Sequence, residues 1–292
     1  MVFDISELSF VDSHVRWYDS EVPWRPEDGR RYVDGGFNGL ELRAKRRKSS
    51  DIRFLRDLPG LRGVRLIGPG LANDADVFEL EDLECLFLLN KATQPLRAER
   101  LGRLSVLGLD DRPGLAAVRS LERLRKVVVW RWRGTDLSFL GSHPSLQFLR
   151  LEGMRQSFDL VGIEGNPWLQ VLWVDEAQVE SLAPLSGLSG LKFLTINGSR
   201  HGGSPARLDL DALRNLASVE WLTLSFCGAV TSLAPLRDLA NLRGLTLTGT
   251  EVTDGDLTPL LDLPPTVESI SLFDRPHHSH RLDEILRLRS AR

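Results

Sequence analysis

His277, His278 and His280 form a compact HHSH cluster near the end of this 292-residue chain. Imidazoles that close can share a metal ion, which would make the chain a metal-dependent regulator or enzyme. Such a site needs a carboxylate or thiolate partner, and none accompanies the cluster in sequence, so a polar turn is the simpler reading. The run RAKRRK, Arg43–Lys48, is the densest positive block and could meet phosphate or an acidic partner. A net charge of −3 and a pI near 6.1 argue against nucleic acid and against an anionic membrane, and a solvated loop accounts for the run. Pairs such as Asp110–Asp111 and Asp175–Glu176 fall where turns are expected, and no nucleophile with a positioned base can be assembled around them. The sequence carries no P-loop, dinucleotide fingerprint or nucleophile elbow. It reads as a non-enzyme that needs no cofactor.

The side chains left to do chemistry are those displayed by a repeat. An apolar residue, two others, then leucine–x–leucine recur eleven times between Phe37 and Leu272. The clearest copies are LRGVRL (61–66), LECLFL (83–88), LSVLGL (104–109), LQFLRL (146–151), LKFLTI (191–196) and LRGLTL (242–247), at intervals of 20 to 28 residues. So short a period marks a solenoid. With the apolar residues numbered 1, 4 and 6, the alternation is that of a strand whose positions 4 and 6 face inward and 3, 5 and 7 outward. One strand cannot bury its own leucines, so the coils must stack. The residues between strands suffice for a turn and a short helical return, as in SLAPLSGLSGL (181–191), SLAPLRDLANL (232–242) and LTPLLDLPP (257–265), where proline suits a first helical turn. The expected fold is an α/β repeat solenoid: a curved horseshoe with a parallel concave sheet of about eleven strands and short helical or 3-10 segments on the convex side.

The segments VESLAPLSGLSGLKFLTING (179–198) and VTSLAPLRDLANLRGLTLTG (230–249) resemble the leucine-rich repeat family, in its bacterial class of about 22 residues per repeat typified by the internalins. The resemblance spans residues 37–273 and implies protein recognition without naming a partner. It departs from the family at position 9, where an asparagine usually builds a hydrogen-bond ladder. Lys91, Arg112 and Trp132 stand there in the early copies, and only Ser199, Cys227 and Thr250 are small substitutes. The expected layout is an N-terminal cap over 1–36 with a strand near Val15–Tyr18, repeats over 37–275, and a C-terminal cap over 276–292. In that last cap RLDEILRLR (281–289) puts Leu282, Ile285, Leu286 and Arg289 on one helical face. The acidic start MVFDISELSF does not read as a secretory signal, no apolar run is long enough to span a bilayer, and Cys85 and Cys227 lie too many repeats apart to pair. A cytoplasmic protein is therefore expected. The excess of arginine over lysine points to a GC-rich bacterial genome.

Outward positions on the middle strands carry Phe87, Asp110, Lys126, Trp130, Phe148, Arg150, Glu152, Trp173, Asp175, Phe193 and Trp221. Aromatic and arginine side chains of this kind are the usual anchors of interfaces, and the charged ones set orientation. Trp132 and Trp168 are expected in the core. A Gly-rich insertion over 197–209, with Arg200 and His201, should hang at the rim of the sheet. Together these features predict a non-enzymatic protein–protein interaction module that takes a macromolecular partner, a protein, on its concave face. A bacterial immunity or inhibitor protein is one concrete form.

Overall fold

The computed structural model describes residues 14–45, 51–153, 156–199 and 207–291. The chain divides into two compact units, Met1–Trp130 with His143–Leu146, and Arg131–Ser142 with Gln147–Arg292.

In the first unit, β1 (Trp17–Glu21), β2 (Gly39–Arg43), β3 (Gly63–Ile67), β4 (Cys85–Leu89), β5 (Val106–Asp110) and β6 (Lys126–Trp132, whose last two residues belong to the second unit) pair in parallel and in chain order. Their register is unbroken: Trp17, Gly39, Gly63, Cys85, Val106 and Lys126 form one row. In the second unit, β7 (Phe148–Gly153), β8 (Val171–Asp175), β9 (Phe193–Asn197), β10 (Trp221–Ser225), β11 (Gly244–Thr246) and β12 (Ser269–Ser271) do the same. Twelve such strands occur among the described residues, one more than the repeat count, because β1, which precedes the first repeat, pairs with β2. Positions 4 and 6 are buried as their period requires, Leu86, Leu88, Leu107 and Leu109 in one unit and Leu172, Val174, Leu194 and Ile196 in the other, each fully covered. Burying one such side chain contributes about 1.5–3 kcal/mol.

Where the described returns are helical they are 3-10 turns, not α-helices. Ala75–Glu79 and Leu115–Ser120 carry the buried Val77 and Val118, and Ala234–Asp238 and Thr258–Asp262 carry Leu236 and Leu260. Pro235 and Pro259 stand in the first turn, where a missing N–H is harmless. A 3-10 turn rises about 2 Å per residue, so it covers the return with fewer residues than an α-helix.

An α-helix that the sequence reading did not foresee, α1 (Pro26–Asp34), lies beside β1. Pro26 starts it, and the Arg25 amide donates to Asp28 Oδ2 at 3.0 Å. Its buried Tyr32 meets Tyr18 and Phe37, while Trp24 stacks on Phe54 with centroids 4.6 Å apart. At the other end, α2 (Leu282–Ser290) buries Ile285, and Arg289 donates to the carbonyls of Leu260, Leu263 and Pro264. Leu286 is a correction: it is 44% exposed, because α2 leans on the last coil through Ile285 and the Arg289 hydrogen bonds.

The missing asparagine ladder is replaced by two different chemistries. In the first unit the inward residue of the β4 coil is Asn90, one position earlier than the repeat numbering places it. Asn90 Nδ2 donates to Leu71 O and to Asp74 Oδ2, both at 2.8 Å. Arg112, the next coil's position 9, turns inward and donates to Asp74 Oδ2 at 2.8 Å and to Asn90 Oδ1 at 3.0 Å. The side chains of both Arg112 and Asp74 are wholly buried. In the second unit Cys227 and Thr250 do the work as expected. The Cys227 thiol donates to Ile196 O and Ser225 O, while Thr250 Oγ1 accepts from Cys227 N at 3.0 Å and donates to Leu224 O at 2.6 Å.

Neither cysteine stands in a disulfide, both are buried, and burial pushes the Cys227 thiol up to about 12. Iodoacetamide should therefore leave the folded protein unlabelled at mildly alkaline pH and label it on unfolding in urea. Thr250→Val should cost about 1–3 kcal/mol in urea unfolding, since Leu224 O and Cys227 N are stranded together. A loss under half a kilocalorie, on the order of a surface change, would rule out this role.

Candidate interaction surface

The outward face of the first unit is covered by its own side chains. Trp17 lies across Gly39 and Gly63, where a Cβ atom would come within 3.0 and 2.9 Å of the indole. Phe87 lies over Gly108 in the same way, with a hypothetical Cβ 2.2 Å from its ring, and Trp130 closes on Gly108 from the other side. The Arg65 guanidinium sits between them, 3.9 Å from the Trp17 ring centroid and 5.0 Å from that of Phe87. Phe87 and Trp130 are 6.2 Å apart, and Val15, Cys85 and Val106 complete an apolar layer. Beside Arg65 in the same row, the buried Glu41 pairs with Arg43 and, at 3.5 Å, with Arg65.

Two of the expected contact residues are corrected here. Phe87 is buried because its neighbour in register is a glycine. Asp110 is buried because its Oδ2 accepts from the Lys91 amide at 3.0 Å and pins the left-handed turn there, with φ at 55°. Lys126 and Trp130 stay half-buried at the surface. Trp17 and Arg65 were missed by the sequence reading; glycines 39, 63 and 108 at matching register were the signal that could have found the layer.

In the second unit Phe148 is a further correction: it is buried, while Arg150, Glu152, Trp173, Asp175, Phe193 and Trp221 are half-buried and reach solvent. Arg150 donates to Asp175 Oδ2 at 2.9 Å, and its guanidinium carbon lies 5.1 Å from the Trp173 ring centroid. Asn197 donates to the other Asp175 oxygen at 2.9 Å. Three adjacent strands thus fix one arginine, one indole and one carboxylate in a single arrangement. Trp221 repeats the rule of the first unit, its benzo ring filling the space over Gly244.

His277 shares a hydrogen bond with Val252 O at 3.0 Å, His278 Nδ1 accepts from the Arg275 amide, and His280 Nδ1 pairs with Ser279 Oγ. Each ring makes one local bond, His278 Nε2 is buried without a hydrogen-bond partner among the described residues, and among those residues no three His, Cys, Asp or Glu side chains are grouped to hold a metal ion. Arg43 is engaged by Glu41 and Lys45 by Glu21, while residues 46–48 lie outside the described set. So do 200–206, with Arg200 and His201. Trp132 is buried against Phe139, 4.7 Å away. Trp168 is not in the core: it is 65% exposed, because it precedes position 1, where the chain still turns on the outside. No helix among the described residues is long and apolar enough to cross a membrane.

Burial, reinforced by His277, lowers the His278 pKa below its ordinary value of 6.5, against the smaller opposing pulls of Asp274 and Glu251. A depressed histidine favours its neutral form in the fold. Its contribution is therefore complete above about pH 6.5 and is lost as the pH falls through that value toward the depressed one. Thermal melts of wild type should drop more between pH 7.5 and 5 than those of His278→Gln; equal drops would remove His278 from the account.

No family model and no curated protein matches the chain. Among solved structures it is similar to an internalin, InlF of Listeria monocytogenes, with a TM-score of 0.58 and 14% identity over 82% of this chain and 68% of that one. It is also similar to the functional domain of InlJ from the same organism, which includes a cysteine ladder, with a TM-score of 0.56 and 14% identity over 85% of this chain and 56% of that one. Identities this low speak for the fold. Repeat spacing, parallel strands in register within each unit and these likenesses agree: the chain has the leucine-rich-repeat fold, similar to that of the internalins.

Proposed function

We propose that this chain is a non-enzymatic module that binds a protein partner on the outward face of its strands, with the Arg150–Trp173–Asp175 arrangement as the anchor. The observation that carries this reading is the fixed geometry of that trio. Trp and Arg are the residues that most often carry binding energy, and ordering them before contact removes part of the entropy cost of association. The leucine-rich-repeat fold supports protein recognition in general. Lys126, Trp130 and Glu152 reach solvent as further candidate contacts. Phe87, Phe148 and Asp110 hold the face in shape and are not assigned contacts. The experiment is to capture the partner on immobilised wild type, identify it, and measure its affinity for Trp173→Ala and Trp130→Ala. Affinity unchanged in both folded variants would refute the reading.

A further inference from the structure

We propose that the part of the second unit's face formed by β9 to β12 is a binding site for a neutral oligosaccharide. This goes beyond the protein-binding reading and shares with it only Asn197, which also donates to Asp175. Each of these four coils has three outward positions, twelve in all, and none carries a charged side chain, although 26% of the chain is charged and about three charges would be expected there. The row running across the strands at position 5 is Thr195, Thr223, Thr246 and Ser271, flanked by Asn197 on one side and by Phe193 and Trp221 on the other.

β-Branched threonine fits a pleated surface, and aspartate, glutamate and lysine are depleted in strands, which explains part of this pattern. Twelve outward positions on four successive strands without a single charge go further than that tendency. Three of the four hydroxyls in the position-5 row are also unspent, while that of Ser271 is shared with Thr248 at 3.2 Å. Thr250, Thr253 and Thr266 each donate to a backbone carbonyl, whereas Thr195, Thr223 and Thr246 make no side-chain hydrogen bond among the described residues. A hydroxyl both donates and accepts and turns to suit its partner. Trp221 is held over Gly244, so an aromatic wall stands beside a floor of small side chains.

That combination selects the ligand's chemistry. A charged ligand would lose its hydration and find no countercharge, and a purely apolar one would leave the hydroxyls unpaired. A neutral sugar presents hydroxyls at its edges and C–H groups on its ring faces, which match the threonine row and the indole. Strands repeat at about 4.8 Å, so the row offers several equivalent contacts along a chain of sugar units.

The test titrates the protein with maltohexaose and cellohexaose, with a hyaluronan hexasaccharide as the anionic control, by saturation-transfer NMR and calorimetry. Saturable binding of a neutral probe, insensitive to salt, is the expected result. Thr223→Val/Thr246→Val should weaken it roughly tenfold at equal melting temperature, and Thr223→Ser/Thr246→Ser should restore it. The proposal fails if neither neutral sugar binds, if the valine variant binds as well as wild type, or if the anionic sugar is preferred. Should the valine variant instead lose the protein partner while no sugar binds, the hydroxyls belong to the protein interface and the sugar site is overturned. The protein-binding reading stands or falls separately on Trp173→Ala.

Discussion

Arg112→Met should destabilise the first unit by about 3–5 kcal/mol, the largest effect expected of any single substitution considered for this chain. The guanidinium and the Asp74 carboxylate are both wholly buried, and one Asp74 oxygen accepts from Arg112 and Asn90 together. Methionine fills much of the same volume, so the loss is electrostatic: it leaves a carboxylate in the core with only the Asn90 amide as donor. Among the described residues Asp74 Oδ1 and Arg112 Nε already have no hydrogen-bond partner, so the site has little reserve. The same logic predicts recovery. Asp74→Leu/Arg112→Met removes both charges and should regain most of the loss, because burying an ion pair gains little over apolar packing. Urea unfolding with a probe for each unit decides it, since coils need not unfold in one step. If Arg112→Met alone costs under one kilocalorie, roughly the worth of a surface pair, the buried network is not what holds these coils together.

This network also shows where a repeat can be read from sequence and where it cannot. Positions 4 and 6 obey a period, so Leu86, Leu88, Leu194 and Ile196 were assigned to the core from spacing alone, and all are fully buried. The ladder position obeys a function instead: some side chain must satisfy the carbonyls left as the chain leaves the strand. Cys227 and Thr250 were legible because they are small and polar. Arg112 was not, because its suitability depends on Asp74 and Asn90 from two earlier coils. The outward positions failed for a related reason. Period assigns Phe87 to the outside, yet exposure is set by the residue beside it in the next strand, and Gly108 lets the ring lie down. Phe148 and Trp173 belong to the same class of residue on adjacent strands, and one is buried while the other reaches solvent. Alternation tells inside from outside; lateral neighbours decide what the outside displays. Trp168 escaped both rules, standing before the first position of its repeat, where neither applies.

That distinction sorts the aromatics and sharpens the second large prediction. Trp173→Ala should weaken partner binding by about 2 kcal/mol or more, some thirtyfold, as loss of a central tryptophan anchor does. Arg150→Ala should weaken it too, because the guanidinium contacts Trp173, is paired with Asp175, and holds the indole. If the trio acts as one unit, the double variant will lose less than the sum of the singles, with a coupling of about 0.5 kcal/mol or more. Phe87→Leu and Phe148→Leu are the controls. Both rings are buried, so these variants should melt earlier yet bind the partner, per folded molecule, as wild type does. A cycle in which Trp173 and Arg150 are additive would make them separate contacts. One in which Phe148→Leu costs affinity while Trp173→Ala does not would move the interface off this trio. The reversed pattern of losses is the outcome that a covered ring and an exposed one cannot both produce, which is why the four variants belong in one experiment.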